Sequence, residues 1–217
     1  MSVSLLVISK APRPGRSKTR LCPPCSPEEA AGLAEAALLD TLDAADRTPG
    51  LGRRVLVLDG AWAPPPPAGW ETIAQHGDGL ARRIANAFAD VGGPALLVGM
   101  DTPQLSASLL ARSIARLVHT GVEAVLGPAF DGGFWAIGLR EPNPDVFTGV
   151  PMSTSRTCAA QRRRLRSLSI PFAELPRLRD VDTFGDALSV AKLAPRTRFA
   201  DAMGCIGGNP ITLADHP

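Results

Sequence analysis

Five cations stand within eleven residues near the start of the chain: Lys10, Arg13, Arg16, Lys18 and Arg20, with Gly15 among them. Crowded into one loop they repel one another without a counter-charge. A basic loop, flexible at Gly15 and leading toward a helix, is suited to wrapping an anionic group such as a polyphosphate. The competing reading is a solvated basic turn. Only three lysines occur among the 23 Lys and Arg residues, and two of them, Lys10 and Lys18, belong to this loop. A codon-biased genome accounts for abundant Arg, Ala and Pro but not for that clustering. Gly15, Lys18 and Thr19 suggest G-x-x-x-x-G-K-[ST], yet Ser17 precedes Lys18 and no glycine stands five residues before it, which excludes a P-loop.

Acids supply the matching charge at three later points. Asp101-Thr102-Pro103 follows the apolar run Ala95 to Val98, and a carboxylate there suits Mg2+ or Mn2+, which prefer oxygen and often need one protein carboxylate plus substrate phosphates. A turn or helix-start residue is the bland alternative. Asp180 and Asp182 are in i, i+2 relation, so in an extended segment they point the same way and can share a cation; Asp182 as a plain helix cap competes with this. Asp131-Gly132-Gly133 lets backbone approach a ligand closely and offers Asp131 to a metal or an acceptor hydroxyl, although a hairpin turn explains it equally well.

The elements that must position these segments follow from periodicity. Ser4 to Ser9 reads as a buried strand, Val55 to Leu58 as a second, and short strands follow at Thr72 to Ala74, Pro94 to Val98, Glu123 to Leu126 and Phe134 to Leu139. Between them, Ser26-Pro27-Glu28-Glu29 opens a helix reaching about Ala45, and helices are expected at Leu80 to Ala89, Ser106 to His119, Arg156 to Leu168 and Asp182 to Lys192. Pro64 to Pro67 is expected to be a stiff loop. The alternation predicts one α/β domain over residues 1–194, with a mostly parallel sheet covered on both faces, and a loosely structured tail over 195–217. In such sheets ligands bind at the carboxyl ends of the strands, where all four segments fall.

Composition narrows the function. With 23 basic against 21 acidic residues the net charge is +2, which gives no global field for gripping nucleic acid. No apolar run is long enough for a membrane span or a secretory signal, so a cytoplasmic, soluble protein is expected. Cys22 and Cys25 have C-x-x-C spacing, but His76, His119 and His216 lie singly, and two thiols in a proline-rich loop is the preferred reading over a redox pair or half a zinc site.

The four segments resemble the GT-A-like nucleotide-diphospho-sugar transferase superfamily. The pattern K-x-P-x-x-G-x-x-K-T-R-L begins at Lys10, G-x-D-x-P at Gly99, G-P-x-x-D-G-G-[YF] at Gly127 and D-V-D-T at Asp180. It is most similar to a bacterial glycosyltransferase family with some members assigned to arsenosugar biosynthesis, and more distantly to 2-phospho-lactate and molybdenum-cofactor guanylyltransferases. The resemblance implies a single Rossmann-like domain holding an NTP or NDP-sugar donor with Mg2+ or Mn2+, and transfer to a small-molecule acceptor. By motif position Lys10, Arg16, Lys18 and Arg20 would meet phosphates, with Pro14, Gly15, Asp131, Gly132 and Gly133 completing the nucleotide site. Asp101, Asp180 and Asp182 would hold the metal, and Lys18 and Asp101 would be catalytic. Asp101-Thr102-Pro103 lacks the second acid of the D-x-D found in many glycosyltransferases, which suits nucleotidyl transfer better. A non-catalytic alternative is a binding module whose arginines at 162, 163, 164 and 166 hold RNA or another acidic partner.

Overall fold

An eight-residue apolar run with polar residues only at its edges has one way to hide both faces: as a central parallel strand. In the computed structural model, which describes residues 2–62 and 65–206, this run is β1 (Val3–Lys10). Its alternation divides two cores, Val3, Leu5 and Val7 facing one layer of helices and Leu6 the other. It pairs in parallel with β2 (Leu51–Asp59) and β4 (Ala95–Gly99), while β3 (Trp70–Ala74) lies outside β2.

Beyond β4 come β6 (Phe134–Leu139), β5 (Ala124–Pro128) and β7 (Phe172–Glu174), giving the order β3-β2-β1-β4-β6-β5-β7. Every strand is parallel to its neighbours except β6, which runs antiparallel to both β4 and β5. The expected mostly parallel α/β sheet is therefore present. One strand, β7, carries no sequence signal of its own, since three residues are too few to display a period.

On one face lie α1 (Pro27–Asp46) and α3 (Ala107–Leu117); on the other lie α2 (Gly79–Val91) and α4 (Thr157–Ser167). Ser26 and Glu29 form the reciprocal cap that the sequence announces before α1. Helix α1 is apolar on two sides, because its outer face also carries α5 (Phe184–Leu193) and α6 (Arg198–Gly204) around Leu33, Ala37, Val190 and Phe199.

That outer layer corrects one expectation. Residues 195–206 do not begin a loose tail: Phe199 and Met203 of α6 are buried against α1. The cause is Asp40, a buried acid on α1 whose carboxylate accepts the N–H groups of Arg198 and Phe199 at 3.0 and 2.9 Å. Burial raises the Asp40 carboxyl above its ordinary value despite those hydrogen bonds. Residues 207–217 and Pro64 lie outside the described residues. Among the described residues no helix is long and apolar enough to cross a membrane.

Candidate functional site

The carboxyl ends of β1 and β4 open into a cleft of about 450 Å3, and the four charged segments meet around it. The basic loop is folded back on itself by a tight turn. Ser17 Oγ accepts the Arg13 N–H at 2.9 Å, the Ser17 and Arg16 N–H groups return to the Arg13 carbonyl, and Gly15 takes a φ of +71°. Lys18 then adopts a left-handed backbone with φ 51°, uncommon for a side-chain-bearing residue, and this turns its side chain into the cleft. Its ammonium meets Asp101 Oδ1 at 2.5 Å and donates to the Val181 carbonyl, with only 10% of the side chain exposed. Arg20, largely exposed, pairs with Asp182.

Neither acid, Asp101 or Asp182, starts a helix, although Asp101 does stand in the bend that follows β4. Helix α5 is capped by Thr183, in a reciprocal box with Asp186, and helix α3 by Ser106, which leaves Asp182 and Asp101 free of capping duty. The Val181 N–H donates to the Asp101 carbonyl at 2.8 Å, so the two acidic loops are joined directly. Asp131 does both jobs. Its Oδ1 accepts the Gly133 N–H at 2.6 Å within the β5–β6 hairpin turn, and it also lines the cleft. Gly132 at the tip has φ +91°, and a Cβ there would lie 2.0 Å from the Ser155 carbonyl, so only glycine fits.

Burial, followed by the nearby Asp131 and Asp101 carboxylates, pushes the Asp180 carboxyl up to about 6, outweighing the opposing pull of Lys18. Among the described residues no three His, Cys, Asp or Glu side chains converge tightly enough to hold a metal unaided. The donor set nevertheless fits a hard cation completed by substrate: several carboxylates line one cleft, and a side chain hydroxyl beside them, Thr102 Oγ1, is buried without a hydrogen-bond partner.

Of the candidates named from sequence, Lys10, Arg16, Lys18, Arg20, Asp101, Asp131, Gly133, Asp180 and Asp182 line the cleft. Pro14, Gly15 and Gly132 do not; they shape the turns that carry their neighbours. Arg13 faces away and donates to the Ala61 carbonyl. Sequence reading missed Gln75, whose amide donates to the Ser9 and Val57 carbonyls at the mouth of the sheet, and Thr154 and Thr157. Gln75 precedes Gly77-Asp78-Gly79, a strand-end signal of the same kind as the others; Thr154 belongs to a loop without motif character and Thr157 opens α4. The Arg-rich helix is occupied internally. Arg162 pairs with Glu174, Arg164 donates to the Asp145 carbonyl and Arg166 lies over Phe172.

A family model described as "Uncharacterized protein conserved in bacteria (DUF2064)" matches residues 42–154. No curated protein matches the chain in sequence. Among solved structures, a candidate nucleotide-diphospho-sugar transferase from Desulfovibrio desulfuricans G20 superposes with a TM-score of 0.83 at 26% identity, over 94% of each chain. CMP:2-keto-3-deoxy-manno-octonic acid synthetase complexed with CTP gives 0.59 at 10% identity, over 90% of this chain and 99% of that one. A protein from Mycobacterium tuberculosis H37Rv in complex with manganese gives 0.51 at 22% identity, over 88% and 99%. The last two share the fold.

Proposed function

The chain belongs to this bacterial family, DUF2064, and from that premise we propose that it is a metal-dependent transferase acting on a nucleotide-activated donor. One observation carries the reading: the cations of the loop after β1 and the acids after β4 and before α5, separated by some 80 to 160 positions in sequence, meet across a single cleft. Lys18 and Arg20 pair with Asp101 and Asp182. A polyphosphate entering the cleft competes for those two cations, with Lys10 and Arg16 already exposed beside it. The carboxylates so released, Asp101 and Asp182 with Asp180, are the residues that would hold a divalent cation. When bound, such a cation neutralises charge on the departing diphosphate or pyrophosphate.

Nucleotidyl transfer is the preferred chemistry. A phosphate or hydroxyl of the acceptor attacks the α-phosphorus of an NTP, the bond to the bridging oxygen breaks, and pyrophosphate leaves. Lys18 is the group best situated to stabilise the charge growing on the phosphoryl oxygens, since its side chain is shielded from water and anchored at the Val181 carbonyl. The absence of a second acid after Asp101 favours this over sugar transfer. Glycosyl transfer from an NDP-sugar is the second reading, supported by the 26% identical Desulfovibrio protein and its description.

Calorimetry with NTPs and NDP-sugars, with and without Mg2+ or Mn2+, tests both. Asp101→Ala and Lys18→Ala should each abolish metal-dependent nucleotide binding; unchanged affinity in both variants overturns the proposal. Pyrophosphate release against NDP release in a substrate screen then separates the two chemistries.

A further inference from the structure

Among the described residues three that bear a side chain hold a left-handed backbone: Lys18, Ser153 and Ser169. Ser169 has an ordinary reason, since it follows α4 in a turn where the Ile170 N–H returns to the Leu165 carbonyl. Neither Lys18 nor Ser153 ends a helix, and both line the cleft. Lys18 comes from the loop leading to α1, on one face of the sheet, and Ser153 from the loop leading to α4, on the other. Strain of this kind persists where the surrounding fold over-determines it, and it clusters at ligand clamps. Ser153, with φ 57°, is exposed, and its hydroxyl makes no hydrogen bond with any described residue.

The loop that carries Ser153 is tied down. Thr157 Oγ1 accepts the Thr154 N–H at 3.1 Å and lies 2.8 Å from the Pro151 and Thr154 carbonyls, so one buried hydroxyl pins residues 151–157. The same segment interlocks with the β5–β6 hairpin. The Cys158 N–H donates to the Gly132 carbonyl at 2.8 Å, and the Ser155 carbonyl sits where a Cβ of residue 132 would be. Asp131 and Ser153 therefore stand on one joined wall of the cleft. Asp131 spends Oδ1 on the Gly133 N–H, while its Oδ2 makes no hydrogen bond or ion pair with a described residue. Phe134 and Met152, both partly buried against the core, give this wall its apolar surface.

Charge is divided between the two sides. All four cations that line the cleft, Lys10, Arg16, Lys18 and Arg20, belong to the loop over residues 10–20. The hairpin and residues 152–157 add one charged side chain to the lining, Asp131, and its charged neighbour along the cleft, Asp180, is another acid. Arg156, exposed in the same segment, does not line the cleft. An anion placed on this wall meets carboxylates. An uncharged molecule rich in hydroxyls meets a carboxylate oxygen that accepts, a serine hydroxyl that donates or accepts, and two apolar side chains for its carbon face.

We propose that this wall is the acceptor subsite and that it takes an uncharged polyol: Asp131 Oδ2 accepts one hydroxyl, Ser153 Oγ bonds a neighbouring one, and Phe134 and Met152 cover the C–H face. This deepens the transferase reading and rests on it in calling the polyol an acceptor. It narrows the group offered to the donor from a phosphate or hydroxyl to a hydroxyl.

The test uses the full chain, 15N-labelled, titrated with glycerol, D-glucose and myo-inositol, each with and without inorganic pyrophosphate. Backbone amides of Ser153 and Gly133 report on the wall, and those of Arg16 and Lys18 on the cationic loop. A saturable shift at Ser153 and Gly133 is expected with at least one polyol. With pyrophosphate present, the phosphate monoester of that polyol should bind the wall at least ten-fold more weakly. Asp131→Asn, which keeps an oxygen for the Gly133 N–H, should raise the polyol Kd about ten-fold. Ser153→Gly should raise it about three-fold without loss of Tm, because glycine takes the left-handed backbone freely; a serine with only a structural role would not separate the two readouts. Four results overturn the proposal: no saturable shift with any of the three polyols, an unchanged polyol Kd in both variants, a monoester bound to the wall as tightly as its polyol, or a parallel loss of pyrophosphate affinity in Ser153→Gly, which would make Ser153 part of the donor site. If pyrophosphate leaves the Arg16 and Lys18 amides unmoved, the transferase reading fails, while the polyol site stands or falls on its own titration.

Discussion

The loop over residues 10–20 and helix α4 carry nearly the same charge in the sequence, five cations in the one and Arg162, Arg163, Arg164 and Arg166 in the other. The structure spends them in opposite ways. Guanidiniums of α4 reach short distances to Glu174, to the Asp145 carbonyl and to the Phe172 ring, all within about twenty residues, and their work is to fasten α4 to the sheet edge and the preceding turn. Cations of the loop reach acids more than eighty positions away, across a cleft, and Lys10 and Arg16 are left exposed in it. A run of positive charge thus has no fixed meaning. What matters is whether its partners are local, where the pairing is structural, or supplied by other strand ends, where it marks a site.

The largest contrast should appear in ligand binding. Arg16 and Arg163 are both exposed arginines without side-chain partners among the described residues. Arg16→Ala should weaken nucleotide binding roughly ten-fold or more, since a charge-assisted hydrogen bond contributes about 1.5–3 kcal/mol, whereas Arg163→Ala should leave it unaltered. Calorimetry on the two variants reads the difference, and equal losses would erase the distinction between the regions.

The two regions should also respond oppositely to pH. In the cleft, Asp180 holds its proton up to about 6, because it is buried near Asp131 and Asp101. The native state then binds more protons than the unfolded chain between the ordinary value of 3.8 and about 6, so this group's contribution to stability falls as pH rises through that window. Glu174 is the reverse: the hydrogen bonds from Arg162 hold its carboxyl below the ordinary value, so its contribution is complete above 4.5 and is lost as pH falls through its lowered value. Thermal melts from pH 3 to 8 should show Asp180→Asn raising Tm at pH 7 and flattening the dependence between 4 and 6. The same substitution should weaken metal-dependent nucleotide binding. Glu174→Gln should lower Tm at pH 7 and leave it unchanged near pH 3.

The smallest effect is expected at the helix itself. Arg162→Ala should cost about 0.5–1 kcal/mol, as befits an ion pair near the surface, and should not touch nucleotide affinity. A chemical-denaturation series checks it; a loss of several kcal/mol would give α4 a larger role than its contacts suggest.

Much of this protein was legible before any coordinates. All the strands but the three-residue β7, and the first five helices, announce themselves by period and by caps such as Ser26 with Glu29, because those signals are local. The strand-end rule, applied to Lys10, Asp101, Asp131 and Asp180, found the cleft. What escaped had no local signature. Helix α6 depends on Asp40, an acid that reads as one polar residue on an Ala-rich helix until Arg198 and Phe199 arrive 158 and 159 positions later to donate to it. Whether Asp182 caps a helix or faces a ligand was balanced in the sequence; in the fold Thr183 takes the cap and Asp182 lines the cleft.

The sequence by itself determined which charges exist, at what spacing, and that they stand at the ends of buried strands, since hydrophobic period and turn chemistry act over a few residues. Only the tertiary structure decided which charges face each other. Pairing Lys18 with Asp101, and Arg20 with Asp182, requires chain segments far apart in sequence to close to a few ångströms. Coulomb attraction falls off over that same short range once water intervenes, so position across the fold, and not composition, assigns each charge its task.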